Sequence, residues 1–364
     1  MPPYLRFAAL SLVIVGACGD NPEPADADGT SAAEEAAPQP DGPPVVRSSI
    51  TLGTFEGTVS DLAFYEAPPF SFRSAVVAAN GDAGIAVVGV DGTSASTWTP
   101  EVTANRVTVT YAIDPDGGSV LALSSDGTLS AYTLDGTLLT SVDVPGGEHE
   151  DVCAAGGLAA ILVDGDIQIV EVGTDDTGDA DLSLGPVIET GGIDGCDGTA
   201  AGLVFAGDEA QLILNADGNL VPTGQPIEAM PVISAGGTAI GITATNGLIR
   251  VSDTSLLVET PDGAPILPRF VEATGGNFGG ILRDGAVAVL DDQNTLHVVP
   301  WSGVADAAGL EKSADSKRLP IVPTGNPGLF DDQIIAPSVT DDLDEEGLNL
   351  PGFEERELPE PPGR

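Results

Sequence analysis

Few residues in this chain could do chemistry, and the scarcest are the most telling. Only two histidines occur among 364 residues. His149 stands in Gly146-Gly147-Glu148-His149-Glu150-Asp151, where an imidazole among carboxylates could contribute to a divalent metal site. No second imidazole and no thiolate at ligand spacing accompanies it, so a solvated acidic loop is the expected reading. His297, in Thr295-Leu296-His297-Val298-Val299-Pro300, reads as a residue on the polar face of an alternating strand. Nucleophile elbows, paired-histidine zinc motifs and phosphate loops are absent, so neither acyl transfer nor nucleotide chemistry is nominated. Carboxylates recur instead, in Asp114-Pro115-Asp116, Asp164-Gly165-Asp166 and the run Asp175 to Asp181. Hard oxygen ligands on a turn suit Ca²⁺, and Asp175, Asp176, Asp179 and Asp181 form the leading candidate set. That loop is not an EF-hand, because its twelfth position is Pro186 rather than Glu. Asp and Gly are also the ordinary residues of tight turns, which is the competing account.

The elements that must position these residues are β-strands. From Gly117 to Val144 the chain alternates apolar and polar residues, interrupted by Asp126-Gly127 and Asp135-Gly136. Asp-Gly between such runs signals a hairpin, because glycine takes the positive φ of a primed turn. Three antiparallel strands follow, and Arg106 to Ile113 supplies a fourth. The unit recurs. Gly117-Gly118, Gly156-Gly157, Asp197-Gly198, Gly236-Gly237 and Gly275-Gly276 read as two-residue turns spaced 39, 41, 39 and 39 residues apart. Each leads into a run of small and aliphatic residues: SVLALSS, LAAILV, TAAGLVFA, TAIGITA or NFGGILR. A more polar strand comes next, such as TLSAYTL, DIQIVEV or AVAVLDD. A copy without the double glycine lies in Ser74 to Asn80 and Gly84 to Gly92, which makes six.

A period near 40 with four strands per unit resembles the β-propellers, in particular the WD40-like and quinoprotein (PQQ)-like groups. The resemblance spans roughly residues 50–304 and rests on period and turn chemistry. Neither the Gly-His and Trp-Asp signature nor the PQQ-type repeat ending is present. The expected fold is therefore all-β, a propeller of six blades. A seventh is the alternative, with Ile50 to Glu66 closing against Leu319 to Ser338. Within each blade the strand after the double glycine is expected innermost, where small residues such as Ala159, Ala200 and Gly241 let backbones converge. Cys153 and Cys196 then fall at close registers in adjacent blades, which predicts an inter-blade disulfide.

The ends of the chain differ from this middle. Arg6 precedes an apolar run, Phe7 to Ala17, too short to span a bilayer. It ends Val15-Gly16-Ala17-Cys18, which resembles the lipobox of bacterial lipoproteins and implies cleavage before Cys18 and lipid on its sulfur. The expected organisation is a signal peptide over 1–17, a disordered acidic tether over 18–47, a propeller over 48–336 and a disordered acidic tail over 337–364. Localisation is then extracytoplasmic, on the membrane through Cys18.

Charge bounds the partners. With 56 acids against 12 bases the net charge is −44, so nucleic acid is excluded as a partner by repulsion. Aromatic residues make up only 4%, which disfavours stacking platforms for sugars or quinones. The expected function is a tethered binding or scaffold module with an envelope protein partner, no evident catalysis and no cofactor beyond the candidate Ca²⁺. The alternative is an extracytoplasmic propeller enzyme, a hydrolase or PQQ-like oxidoreductase, using carboxylates gathered at the channel mouth.

Overall fold

The computed structural model describes residues 42–317, apart from 68–72, 93–94, 101–102, 208–210, 216–217, 219, 224–226 and 228. Cys18, the first 41 residues and the tail lie outside the described residues. The described residues begin with β1 (Val45–Arg47) and β2 (Ile50–Thr54), so pairing starts inside the last residues assigned to the tether. Blade 1 is β3 (Asp61–Tyr65), β4 (Ala75–Ala79), β5 (Ile85–Gly89) and β6 (Ala95–Trp98). Blade 2 is β7 (Ala104–Thr110), β8 (Ser119–Ser124), β9 (Thr128–Tyr132) and β10 (Leu138–Asp143). Blade 3 is β11 (His149–Ala155), β12 (Leu158–Val163), β13 (Asp166–Thr174) and β14 (Ala180–Ile188). Blade 4 is β15 (Gly195–Thr199), β16 (Gly202–Ala206), β17 (Gln211–Asn215) and β18 (Leu220–Pro222). Blade 5 is β19 (Val232–Ala235), β20 (Thr238–Thr245), β21 (Leu248–Val251) and β22 (Thr254–Glu259), extended by β1 in parallel and by β23 (Pro265–Ile266). Blade 6 is β24 (Pro268–Thr274), β25 (Ala286–Asp291) and β26 (Thr295–Pro300), completed by β2. A helix, α1 (Trp301–Ala308), follows. No helix of the described residues is long and apolar enough to cross a membrane.

The first strands of successive blades neighbour one another in cyclic order, and β24 returns to β3. This is a closed six-bladed β-propeller. Apolar packing lies between blades: Leu121, Leu123 and Leu129 of blade 2 meet Ile161, Val170 and Val172 of blade 3, and comparable clusters fill the other interfaces. Trp301, Val304 and Ala305 of α1 join the cluster between blades 5 and 6. Because β2 is the fourth strand of blade 6, the N-terminal part of the domain closes the ring. Its Thr51 hydroxyl lies 3.1 Å from Nδ1 of buried His297, whose Nε2 lies 3.1 Å from Asp291 Oδ2.

Three expectations are corrected. The seventh blade does not form from the N-terminal strands, because Ile50–Thr54 completes blade 6 while Asp61–Tyr65 opens blade 1; Leu319 to Ser338 lies outside the described residues. The innermost strand is the one before the double glycine, not after it. The strand after it is second in each sheet, sandwiched by neighbouring blades on both faces, and so carries the unbroken apolar run: every residue of β4 and of β8 is buried. An innermost strand borders the channel and places single polar residues there, among them Asp61, Asp151, Asp197 and Glu272. Finally, NFGGILR is a connection containing a 3-10 turn at Gly280–Leu282, and AVAVLDD is the second strand of blade 6.

Cys153 on β11 and Cys196 on β15 form a disulfide, with Cα atoms 5.8 Å apart and a sequence separation of 43. It staples blades 3 and 4 beside the channel. Its reduction is expected to lower stability by about 3–4 kcal/mol in the chain-entropy account. Urea unfolding with and without a phosphine reductant measures this, and coincident curves would show that the staple carries no stability.

Candidate functional site

The free edge of an innermost strand faces the channel, and its backbone N–H groups need acceptors there. Asp61 supplies two: its carboxylate accepts the N–H of Leu62 at 2.9 Å and that of Val107, on the next blade, at 2.8 Å. Asp151 repeats the arrangement with Val152 at 2.9 Å and Cys196 at 3.0 Å. Asp197 does so again with Gly198 and Val232, both at 2.7 Å. Three seams of the ring are thus bridged by one carboxylate each. Close approach at one of them requires glycine, since a Cβ on Gly198 would lie 2.0 Å from the Ala154 carbonyl oxygen.

These three aspartates, Glu272 and Arg106 line a cavity of about 310 Å³, together with Lys317 from beyond α1. The Lys317 ammonium donates to both oxygens of Asp197, at 2.7 and 2.8 Å, and to Glu272 Oε1 at 2.9 Å. All three donors of an ammonium are thereby used. Lys317 is 19% exposed, and each of its partners 12%. Arg106 donates from Nε to the Glu150 carbonyl at 2.8 Å, with Asp151 3.9 Å away.

Burial dominates the proton affinities. It pushes Glu272 up to about 8, only partly opposed by Lys317, with Asp197 adding to the rise. Burial also pushes Asp151 up to about 6, against the N–H groups of Cys196 and Val152 and the charge of Arg106. Asp61 is raised well above the ordinary value by burial and by the Asp151 charge. For Lys317, burial works against the charge, but Asp197 and Glu272 outweigh it and hold the ammonium above its ordinary pKa. The chamber can therefore bind a cation and can hold protons on carboxyl groups near neutral pH.

The residues singled out from sequence lie elsewhere. Asp175 stands at the β13–β14 turn, where Oδ1 accepts the N–H groups of Thr177 and Asp179 at 2.8 and 3.0 Å. The Thr177 hydroxyl, at 2.7 Å, holds this carboxyl below the usual range. Asp176, Asp179 and Asp181 share the exposed end of that hairpin or its flank. Among the described residues no group of three or more His, Cys, Asp or Glu has the geometry to hold a metal ion. His149 begins β11, with Nε2 3.0 Å from the Val144 carbonyl, and lines a shallow depression with Glu148, Glu150, Arg106 and Asp194.

The cluster itself was missed. Asp197-Gly198 is not a turn but part of β15, and the chain reverses at Ala200 and Ala201 instead. The available signal was an aspartate recurring on the strand before the turn, in Ser60-Asp61-Leu62, Glu150-Asp151-Val152 and Cys196-Asp197-Gly198. A second signal was Lys317, one of only two lysines in so acidic a chain.

No family model matches the chain, and no curated protein does. Among solved structures it is similar to the crystal structure of BBS1N in complex with ARL6DN soaked with mercury, at 12% identity and a TM-score of 0.32. The alignment covers 67% of this chain and 66% of that one. The lead-soaked crystal of the same complex aligns with equal identity and score, covering 67% and 61%. The chain thus spans less than two thirds of the length of either.

Proposed function

We propose that this protein is an extracytoplasmic, lipid-anchored β-propeller of the WD40-like or PQQ-like kind that acts as a binding or scaffold module, with the central channel as its binding site. The observation that carries the channel reading is the seating of an ammonium by Asp197 and Glu272 inside a polar cavity. Three of the chamber's carboxylates also hold the ring together, which suits a rigid receptor. Export is supported by Val15-Gly16-Ala17-Cys18 after an apolar run, and by a structural disulfide, which persists in oxidising compartments. The net charge of −44 favours a basic partner over nucleic acid.

Two experiments test the reading. Metabolic labelling with a fatty acid should mark the wild-type chain and not Cys18→Ala. Affinity capture of the detergent-solubilised protein from its own envelope should recover a partner whose retention falls with salt. An unlabelled chain recovered only as a free monomer at several salt concentrations overturns the proposal.

A hydrolase is the second reading. What favours it is the presence in one cavity of Glu272 and Asp151, which burial raises to about 8 and to about 6, so that their environments set the two carboxyls apart as an acid and a base. Turnover of chromogenic esters or glycosides by the wild type and not by Glu272→Gln would establish it. A PQQ-like oxidoreductase is less well supported, as no tryptophan lines the cavity.

A further inference from the structure

After α1 the chain turns back across the channel. Trp301 Nε1 donates to the Glu311 carbonyl at 3.1 Å, fixing the departure from the helix. The Asp315 N–H then donates to the Ser234 carbonyl at 2.7 Å, and the Ser234 hydroxyl to Asp315 Oδ2 at 2.9 Å. One bridge, Ala235 with Ala314, is the only strand-like pairing of this segment. The Asp315 carbonyl lies so close over Gly275 that a Cβ there would be 1.9 Å from it. The Ser316 hydroxyl donates to Glu66, which also accepts from the Thr274 hydroxyl. The segment therefore touches blades 5, 6 and 1 before Lys317 reaches Asp197 of blade 4 and Glu272 of blade 6.

We propose that Gly309–Lys317 is an autoinhibitory strap, and that the channel's external ligand is a primary ammonium group on an alkyl stem, which enters by displacing Lys317. This rests on the reading of the channel as a binding site. The seat is shaped for such a group: three oxygens meet the three donors of one compact charge, delivered by a flexible four-carbon stem. Lys317 occupies it as an intramolecular surrogate. The strap that carries it is held by polar contacts, by one bridge and by the half-buried Leu310 and Ala314 against the cluster between blades 5 and 6, rather than by a strand ladder, so the Asp315–Lys317 end can lift without unpairing any strand of a blade. Lys312, the other lysine, is spent on Asp306 at the surface, 2.6 Å away, and offers no competing occupant. A tethered lysine acts at millimolar effective concentration. It lowers apparent affinity for a free ammonium in proportion to the fraction of closed strap.

The test is calorimetric titration of the full chain and of Lys317→Gln with cadaverine, alongside hydrogen exchange of residues 309–317. Lys317→Gln should bind cadaverine about tenfold or more tightly than wild type, and saturating cadaverine should speed exchange of the wild-type strap. Asp315→Ala loosens the strap without leaving the carboxylates of the seat unpaired, and it too should bind more tightly. Equal affinity in all three proteins overturns the strap while leaving the channel as a binding site. Faster strap exchange in Lys317→Gln with no cadaverine binding by any protein overturns the ammonium ligand, and with it the channel reading, while the latch stands.

Discussion

Asp197→Ala is expected to cost about 3–5 kcal/mol of stability, the range for breaking one side of a buried ion pair. The substitution removes two of the three oxygens around the Lys317 ammonium. It also leaves the Val232 N–H without its acceptor at the seam between blades 4 and 5. Most of the loss comes from the stranded charge rather than from the missing attraction, so removing that charge as well should recover part of it. Asp197→Ala/Lys317→Met should accordingly be more stable than Asp197→Ala alone. Urea unfolding followed by the fluorescence of Trp98 and Trp301 reports both. If the double variant is as unstable as the single one, charge pairing in the channel is not what matters.

Stability should rise as pH falls from 8 toward 5, although the chain is rich in carboxylates. Glu272 has an ordinary value of 4.5 when unfolded and about 8 when folded, chiefly through burial. Between those values the folded protein holds a proton that the unfolded chain has released, so acidification favours the folded state. The contribution is complete below 4.5 and is lost as pH rises through about 8. Asp151 acts with the same sign between 3.8 and about 6, and Asp61 likewise from its raised value. Exposed turn carboxylates have the opposite sign. Asp126, Asp135, Asp175 and Asp262 are held below the ordinary 3.8 by the hydroxyls of Ser124, Thr133, Thr177 and Thr260, and their effect falls at pH values below this window. Relief of the −44 net charge also stabilises the fold on acidification, so the discriminating variant is Glu272→Gln. The wild-type Tm at pH 6 should exceed that at pH 8 by about 5 °C or more, and Glu272→Gln should show less than half of that difference. A Tm that rises with pH, or a variant with an unchanged slope, would remove Glu272 from the account.

Local chemistry was legible in the residues alone. Asp126-Gly127, Asp164-Gly165 and Asn246-Gly247 do join second to third strands, and the even spacing from Gly117-Gly118 to Gly275-Gly276 marks the repeat and hence six blades. Turn preference and alternation act within a few residues, so they can be read without knowing what surrounds them. The Cys153–Cys196 bridge followed from the same period. Which strand borders the channel did not follow. A run such as Ser119–Ser124 announces burial on both faces, but burial on both faces belongs to the second strand, and only the sheet order shows it.

The functional residues were hidden for a related reason. Asp197 looks like half of a turn because Asp-Gly is a common turn pair, and nothing local distinguishes a turn from a strand bordering a channel. Its partners are Val232, 35 residues on, and Lys317, 120 residues on. Asp61 and Val107, 46 residues apart, meet only because adjacent blades pack. By itself, then, the sequence determined the class, the period and the staple, all set by short-range preference repeated at a fixed interval. Closure of the ring decided which carboxylates share one chamber, how far burial raises their proton affinity, and that a lysine from beyond the last blade sits among them. Those are properties of distance in space, which a chain acquires only when it folds.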